Sequence, residues 1–202
     1  MTVRLFLMKH MGGLNMNEVL RAIHDRRSTR GFSDVQLTDE QLQALIDAAL
    51  ASPTARNTQM WHFSVVQNAE LLDAFSHDAG ELMAATVPAG SRGRFEEKGF
   101  HLFYHAPTVI FISRPTECGN RFVEVDCGIA CENIALAAQG MGLGSVIVGM
   151  AMDLFLSERG EYYRKAFGIP EGYQFSIAIV VGNNTVTKEA HPIGEGKVNI
   201  VR

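Results

Sequence analysis

Apolar residues along the chain alternate between helical and strand spacing, and that alternation predicts the order of elements. From Asn17, Val19, Leu20 and Ile23 recur as on one side of a helix, which runs into the basic stretch Asp25-Arg26-Arg27-Ser28-Thr29-Arg30 and stops at Gly31. Thr38-Asp39-Glu40-Gln41 has the form of a capping box. Behind it Leu42, Leu45, Ile46, Ala49 and Leu50 mark the clearest amphipathic helix of the chain. That helix closes at Ser52-Pro53, because the residue before a proline is pushed out of helical geometry.

Residues 53–60 read as a polar loop and His62–Val66 as a strand. Asn68 is placed to cap a short helix through Leu71, Leu72 and Phe75, and VPAGSRG at 87–93 reads as a mobile loop. Thr108–Ile112 has the compact apolar character of a buried strand. From Phe122 to Gly140 runs a long helix apolar on nearly all sides, which implies burial on more than one of them. Val146–Val148 is a further strand, Glu161–Phe167 a helix stopped by Gly168 and Pro170, and Phe175–Val181 another strand. The tail from Asn183 to Arg202 is polar, with a short alternating piece at Lys197–Val201 that has too little apolar surface to stand alone. This order predicts one mixed sheet covered by helices on both faces, in a single domain over residues 16–202. Residues 1–15 read as an extension ahead of it, disordered or left over from an upstream start or cloning.

Composition narrows the function classes. Of 202 residues 47% are hydrophobic and 20% charged, which fits a folded globular protein and argues against a disordered one. Eighteen Lys and Arg against 22 Asp and Glu leave a net charge of -4, which argues against a general nucleic-acid binder. No apolar run approaches the roughly 20 residues of a membrane helix. Three cysteines, Cys118, Cys127 and Cys131, are too few and too irregular for a disulfide framework and fit a reducing cytoplasm. Cys127 and Cys131 lack further ligands at zinc spacing and read as small buried hydrophobes.

Two segments carry candidate chemistry. Arg26-Arg27-Ser28-Thr29-Arg30 places three guanidinium groups and two hydroxyls within five residues. Such a set can surround a phosphate; equally, cations gather at a helix C-terminus to complement its dipole. Ser52–His62 puts amides and hydroxyls beside the single tryptophan, so Asn57 and Gln59 could read the edge of a planar heterocycle. On its own, a turn satisfying its own backbone explains that loop as well. Gly140-Met141-Gly142-Leu143-Gly144-Ser145 follows a helix and precedes a strand, the reverse of a dinucleotide loop. Asp126 reads as near a helix start and Glu132 as a polar edge, and His62, His101, His105 and His191 mark no triad or metal site. With no motif for a side-chain catalyst, the chemistry points to a cofactor.

Taken together, Arg26–Arg30, SPTARNTQMWHF at 52–63, DCGIACENIALAAQGMGLGS at 126–145 and PEGYQFSIAIVVGN at 170–183 resemble the nitroreductase family of FMN-dependent oxidoreductases. The resemblance implies an α+β fold, a mixed and mostly antiparallel sheet flanked by helices, in a homodimer with an exchanged C-terminal segment and FMN at the interface. It implies that Arg26, Arg27, Ser28 and Arg30 grip the FMN phosphate and ribityl chain, with Lys197 completing the phosphate site. Pro53, Thr54, Ala55, Asn57 and Gln59 would contact the flavin, and the Val148-Gly149 backbone would pass its ring. Met60 stands where the family has a proline. The implied activity is ping-pong hydride transfer from NADH or NADPH through flavin to a nitroaromatic or quinone, with no catalytic side chain. A dehalogenating or flavin-fragmenting enzyme with a lid at 80–105, a non-catalytic flavin-binding protein and a small anion-binding regulator are the rival readings.

Overall fold

The computed structural model describes residues 16–97 and 99–202, so the extension expected at 1–15 lies outside the described residues. Helix α1 (Glu18–Asp25) is capped by the Asn17 side chain, which accepts the Leu20 N–H, and it buries none of its residues. Helix α2 (Asp39–Leu50) has the expected capping box between Thr38 and Gln41 and buries Leu45 and Ala49. A 3-10 turn (Ala55–Asn57) leads into β1 (His62–Val66).

Helix α3 (Ala69–Thr86) is longer than the short helix expected, because the buried stripe Leu72, Phe75, Ala79 and Met83 keeps helical spacing to its end. The loop expected at 87–93 is instead the start of a helix, α4 (Ala89–Glu96). Pro88 stands at its N-cap, where a missing N–H costs little, and Phe95 ends it edge-on to Phe100 at 5.4 Å.

Strand β2 (Thr108–Pro115), helix α5 (Val123–Gly140) and strand β3 (Gly144–Val148) follow. A one-turn helix α6 (Met152–Phe155), absent from the sequence reading, precedes α7 (Gly160–Ala166) and β4 (Tyr173–Gly182).

The strand order is β1-β2-β4-β3, every pair antiparallel. A parallel bridge from Ser28 to Ser145 adds the chain after α1 to the outer edge of β3, so the sheet is mixed and mostly antiparallel. The strand pleat sends alternate residues into two cores. On one face Val109, Phe111, Ala178 and Val180 meet an aromatic cluster centred on Phe75, with Phe103, Phe155, Tyr163 and Phe167 from the loop before β2, α6 and α7 and their flanks. On the other, Ile110, Ile112, Ile179 and Val181 meet α2 and α5. Helices therefore cover both faces, as expected.

Cys127 and Cys131 are fully buried in the second core. Burial pushes their thiols up to about 11 and about 12, so they pack as hydrophobes. The tail is tied down at its start by Thr185 N–H on Gly31 O (3.0 Å); beyond residue 188 it is exposed, Val198 and Ile200 included, and the alternating piece pairs with no strand among the described residues.

Candidate functional site

Helix α5 is the element on which the two chemistry-bearing segments meet. Arg26 Nε lies 3.3 Å from Glu132 Oε1, which fixes the first segment to the middle of the helix. Asn133 Nδ2 donates to Ser52 Oγ (2.9 Å), and the Ala55 N–H donates to Asp126 Oδ1 (3.0 Å), which fixes the second. At about 100° per residue, Asp126 and Asn133 lie on nearly the same side of α5, two turns apart. Glu132 is about 100° round from Asn133, so the two segments hold adjacent flanks.

The first segment leaves α1 and runs beside β3, where the Thr29 N–H donates to Ser145 O (2.9 Å). Its approach depends on Gly144: a Cβ there would meet Thr29 Cγ2 at 3.0 Å and Asn184 Cβ at 2.8 Å. Arg27 uses Nη1 alone to cap α1, donating to His24 O and Arg26 O at 2.7 Å each. The exposed Arg30 donates from Nε to the Tyr104 hydroxyl at 3.3 Å and from Nη1 to Ser28 O at 3.4 Å, both long. The Nη2 of both arginines and the Ser28 hydroxyl have no hydrogen-bond partner among the described residues. The cluster therefore caps α1 and, among the described residues, leaves further donors unpaired beside it.

The second segment is a turn with three non-glycine residues in the left-handed region: Arg56 (φ 57°), Asn57 (φ 55°) and Gln59 (φ 47°). Each costs about 1–3 kcal/mol and persists only where the surroundings hold it. Thr54 Oγ1 accepts the Gln59 N–H (3.0 Å), while Asn120 donates to Thr58 Oγ1 (3.1 Å) and to Asp126 Oδ2 (3.0 Å). Gln59 Nε2 donates to Asn57 Oδ1 (2.8 Å), which leaves a Gln59 carbonyl and an Asn57 NH2 exposed side by side. Pro53 lies exposed at the head of this turn and Val148-Gly149 at the end of β3, roughly 13 Å along the strand from Ser145. A Cβ at Gly149 would meet only Ile177 Cδ1, at 3.5 Å. Lys197 sits in the exposed tail, and no hydrogen bond or ion pair among the described residues brings it to the arginines.

The sequence reading missed Asp126 as part of this site. It stands in the first turn of α5, as expected, but is only 3% exposed, and its side-chain partners lie outside its own helix; a lone acid among buried residues of α5 was the available signal. It also missed Tyr104 and the turn behind it. There His101 Nδ1 accepts the N–H groups of Phe103 and His105 (3.1 Å each), and Nε2 lies 3.0 Å from Asp73 Oδ1. Two donors on Nδ1 place the imidazole proton on Nε2. Nε2 then has no lone pair to give, which disqualifies the Asp73-His101-His105 group as a metal site.

The sequence model of the nitroreductase family matches residues 23–183, most of the described chain and both segments on α5. The chain belongs to the nitroreductase family. A nitroreductase with bound FMN from Desulfitobacterium hafniense DCB-2 is 36% identical, with a TM-score of 0.85 over 93% of this chain and 100% of its own. An FMN-dependent nitroreductase from Clostridium difficile R20291 is 31% identical, with a TM-score of 0.77 over 93% of this chain and 100% of its own. The NADPH-flavin oxidoreductase of Vibrio harveyi is 27% identical over 177 residues, 88% of this chain and 70% of its own. These nitroreductase-family likenesses cover the α5 scaffold and the sheet together, so the site is compared in its whole context.

Proposed function

We propose that this nitroreductase-family chain is an FMN-dependent oxidoreductase that carries hydride from NADH or NADPH to a nitroaromatic, quinone or similar small acceptor in a ping-pong cycle. The observation that carries the reading is the pinning of two complementary donor sets to neighbouring flanks of α5. The arginine segment offers unsatisfied cationic donors and a hydroxyl, which suit a phosphate and a polyol chain. The turn at 54–59 offers an acceptor beside a donor, which suits the edge of a heterocycle carrying N–H and carbonyl groups. The residues present therefore fit FMN. When bound, FMN supplies the two-electron relay between nicotinamide and acceptor.

The protein's own share is placement. Arg27, Ser28 and Arg30 anchor the phosphate end, with Lys197 as a further cation if the tail of a partner chain brings it in. Asn57 and Gln59 would hydrogen-bond the flavin ring, and the open backbone at Val148-Gly149 would leave room for it. No side chain is required to move a proton.

A homodimer completes this arrangement. Helix α1 exposes Val19 and Ile23 at 64% and 53%, and Phe122 and Val125 are exposed at the start of α5. A helix that buries none of its own apolar stripe calls for a partner surface. The unpaired Val198 and Ile200 of the tail supply apolar residues for such an exchange.

Steady-state rates test the cycle. With NADH or NADPH varied at several fixed concentrations of menadione or nitrofurazone, the FMN-loaded protein is expected to give parallel double-reciprocal lines. Intersecting lines would remove the ping-pong cycle, and no rate with either donor would favour a non-catalytic flavin-binding protein.

A further inference from the structure

Asp126 is a buried carboxylate without a cation: among the described residues its partners are the Ala55 N–H and the Asn120 amide, both neutral. Burying an anion with neutral partners alone is expensive, and the first turn of α5 offsets only part of that through its dipole. The two partners share one feature. Ala55 opens the turn containing the left-handed residues Arg56, Asn57 and Gln59, and Asn120 reaches across to Thr58 in the same turn. Asn120 is itself oriented, since its Oδ1 accepts the Phe122 N–H at 2.9 Å. The carboxylate and the amide thus clamp the turn at both ends.

We propose that Asp126 and Asn120 form a positioning pair that holds the 54–59 turn in the shape that presents Asn57 and Gln59 to the flavin. The inference rests on the flavin reading above and adds residues that touch neither cofactor nor substrate. Neutral donors on both oxygens leave the turn's alignment dependent on a directional acceptor, which a same-shape amide cannot reproduce. In Asp126→Asn the new NH2 faces the Asn120 NH2, and flipping Asn120 would turn its own NH2 onto the Phe122 N–H.

That conflict defines a rescue experiment, read by FMN fluorescence titration of the full-length protein. Asp126→Asn is expected to weaken FMN binding roughly 10- to 100-fold, the scale of one lost charge-assisted hydrogen bond. Asn120→Asp opposes two carboxylates at close range, so its FMN affinity falls at pH 8 and recovers toward pH 6 as the pair takes up a shared proton. In the double variant Asn120→Asp/Asp126→Asn, the carboxylate introduced at position 120 accepts from the new amide, the Phe122 N–H and the Thr58 hydroxyl. Affinity then returns to within roughly twofold of the parent. Tyr163→Phe, which removes the hydroxyl bond to Asp78 on the far face of the sheet, serves as control. It lowers the melting temperature without changing FMN affinity. Single variants that bind FMN as the parent does, or a double variant no better than the singles, would overturn the proposal. A parent protein that takes up no FMN would overturn the flavin reading and the proposal with it. An unstable Asp126→Asn leaves the pH profile of Asn120→Asp as a sufficient test.

Discussion

Replacing Arg27 and Arg30 together with alanine is expected to weaken FMN binding roughly 100- to 10,000-fold, because two charge-assisted contacts to phosphate are lost at about 1.5–3 kcal/mol each. Arg26 is left in place because its Nε is committed to Glu132. Among the described residues, Arg27 keeps its Nη2 free while Nη1 caps α1, and the exposed Arg30 makes only long hydrogen bonds. The fold should survive, since neither guanidinium enters a core and the caps lost at His24 and Arg26 are partly solvated. Titration of the double variant with FMN and with riboflavin separates the cause. Riboflavin, which lacks the phosphate, is expected to bind parent and variant alike, and only FMN to distinguish them. A variant that keeps the parent's FMN affinity would place the phosphate elsewhere.

His101→Ala is expected to cost about 3–5 kcal/mol in urea unfolding. It strips the acceptor from two backbone N–H groups, at about 1–3 kcal/mol each, and leaves a cavity beside Phe103. The turn it supports holds Tyr104 (φ 56°) and His105 (φ 54°) in the left-handed region and carries the hydroxyl that meets Arg30. Protonation opposes the same geometry, since an Nδ1–H would point at two N–H groups. Burial, and then the charge of the nearby His105, hold the His101 imidazole below its ordinary value, against the opposing pull of Asp73. Among the described residues, Arg30, Arg94 and Glu97 are the other charged groups lining the surface pocket that His101 and His105 share. A depressed folded-state value for a base means that the unfolded chain takes up the proton first as pH falls. The stability from neutral His101 is therefore full above about pH 6.5 and is lost as pH drops below that value toward the folded-state one. Urea midpoints at pH 7.5 and pH 5.5 should fall more for the parent than for His101→Ala. Equal falls, or a loss under about 1 kcal/mol at pH 7.5, would contradict this role.

What was legible in the sequence followed from local rules. The Thr38–Gln41 box, the stop at Pro53 and the compact apolar run of β2 each depend on residues within a few positions, and each is present. The region 87–96 misled because Pro88, Gly90, Ser91 and Gly93 carry turn chemistry, whereas a proline at an N-cap also starts a helix. The run of α3 past Phe75 was underread because its stripe continues through small residues, Ala79 and Gly80, that bury as well as larger ones.

At the site, the residue types were legible and their support was not. Arg26–Arg30 and 52–59 stand out by composition, but their common attachment to α5 depends on contacts such as Ala55 to Asp126, 71 positions apart. The left-handed trio at 56, 57 and 59 has no glycine to announce it. Nor does a pattern of hydrophobic positions reveal that α1 leaves its apolar side uncovered, since that is a property of what lies beside it.

Above all, the two flanks of α5 are expected to bind one flavin, which nicotinamide then reduces. The most direct test is the visible spectrum of the protein titrated with FMN, followed by anaerobic NADH and, separately, NADPH. Saturation is expected at one FMN per chain, with bleaching of the bound flavin's visible absorbance by at least one donor, roughly one equivalent sufficing for a two-electron reduction. A protein that takes up no FMN, or one whose bound flavin neither donor bleaches, would contradict this expectation.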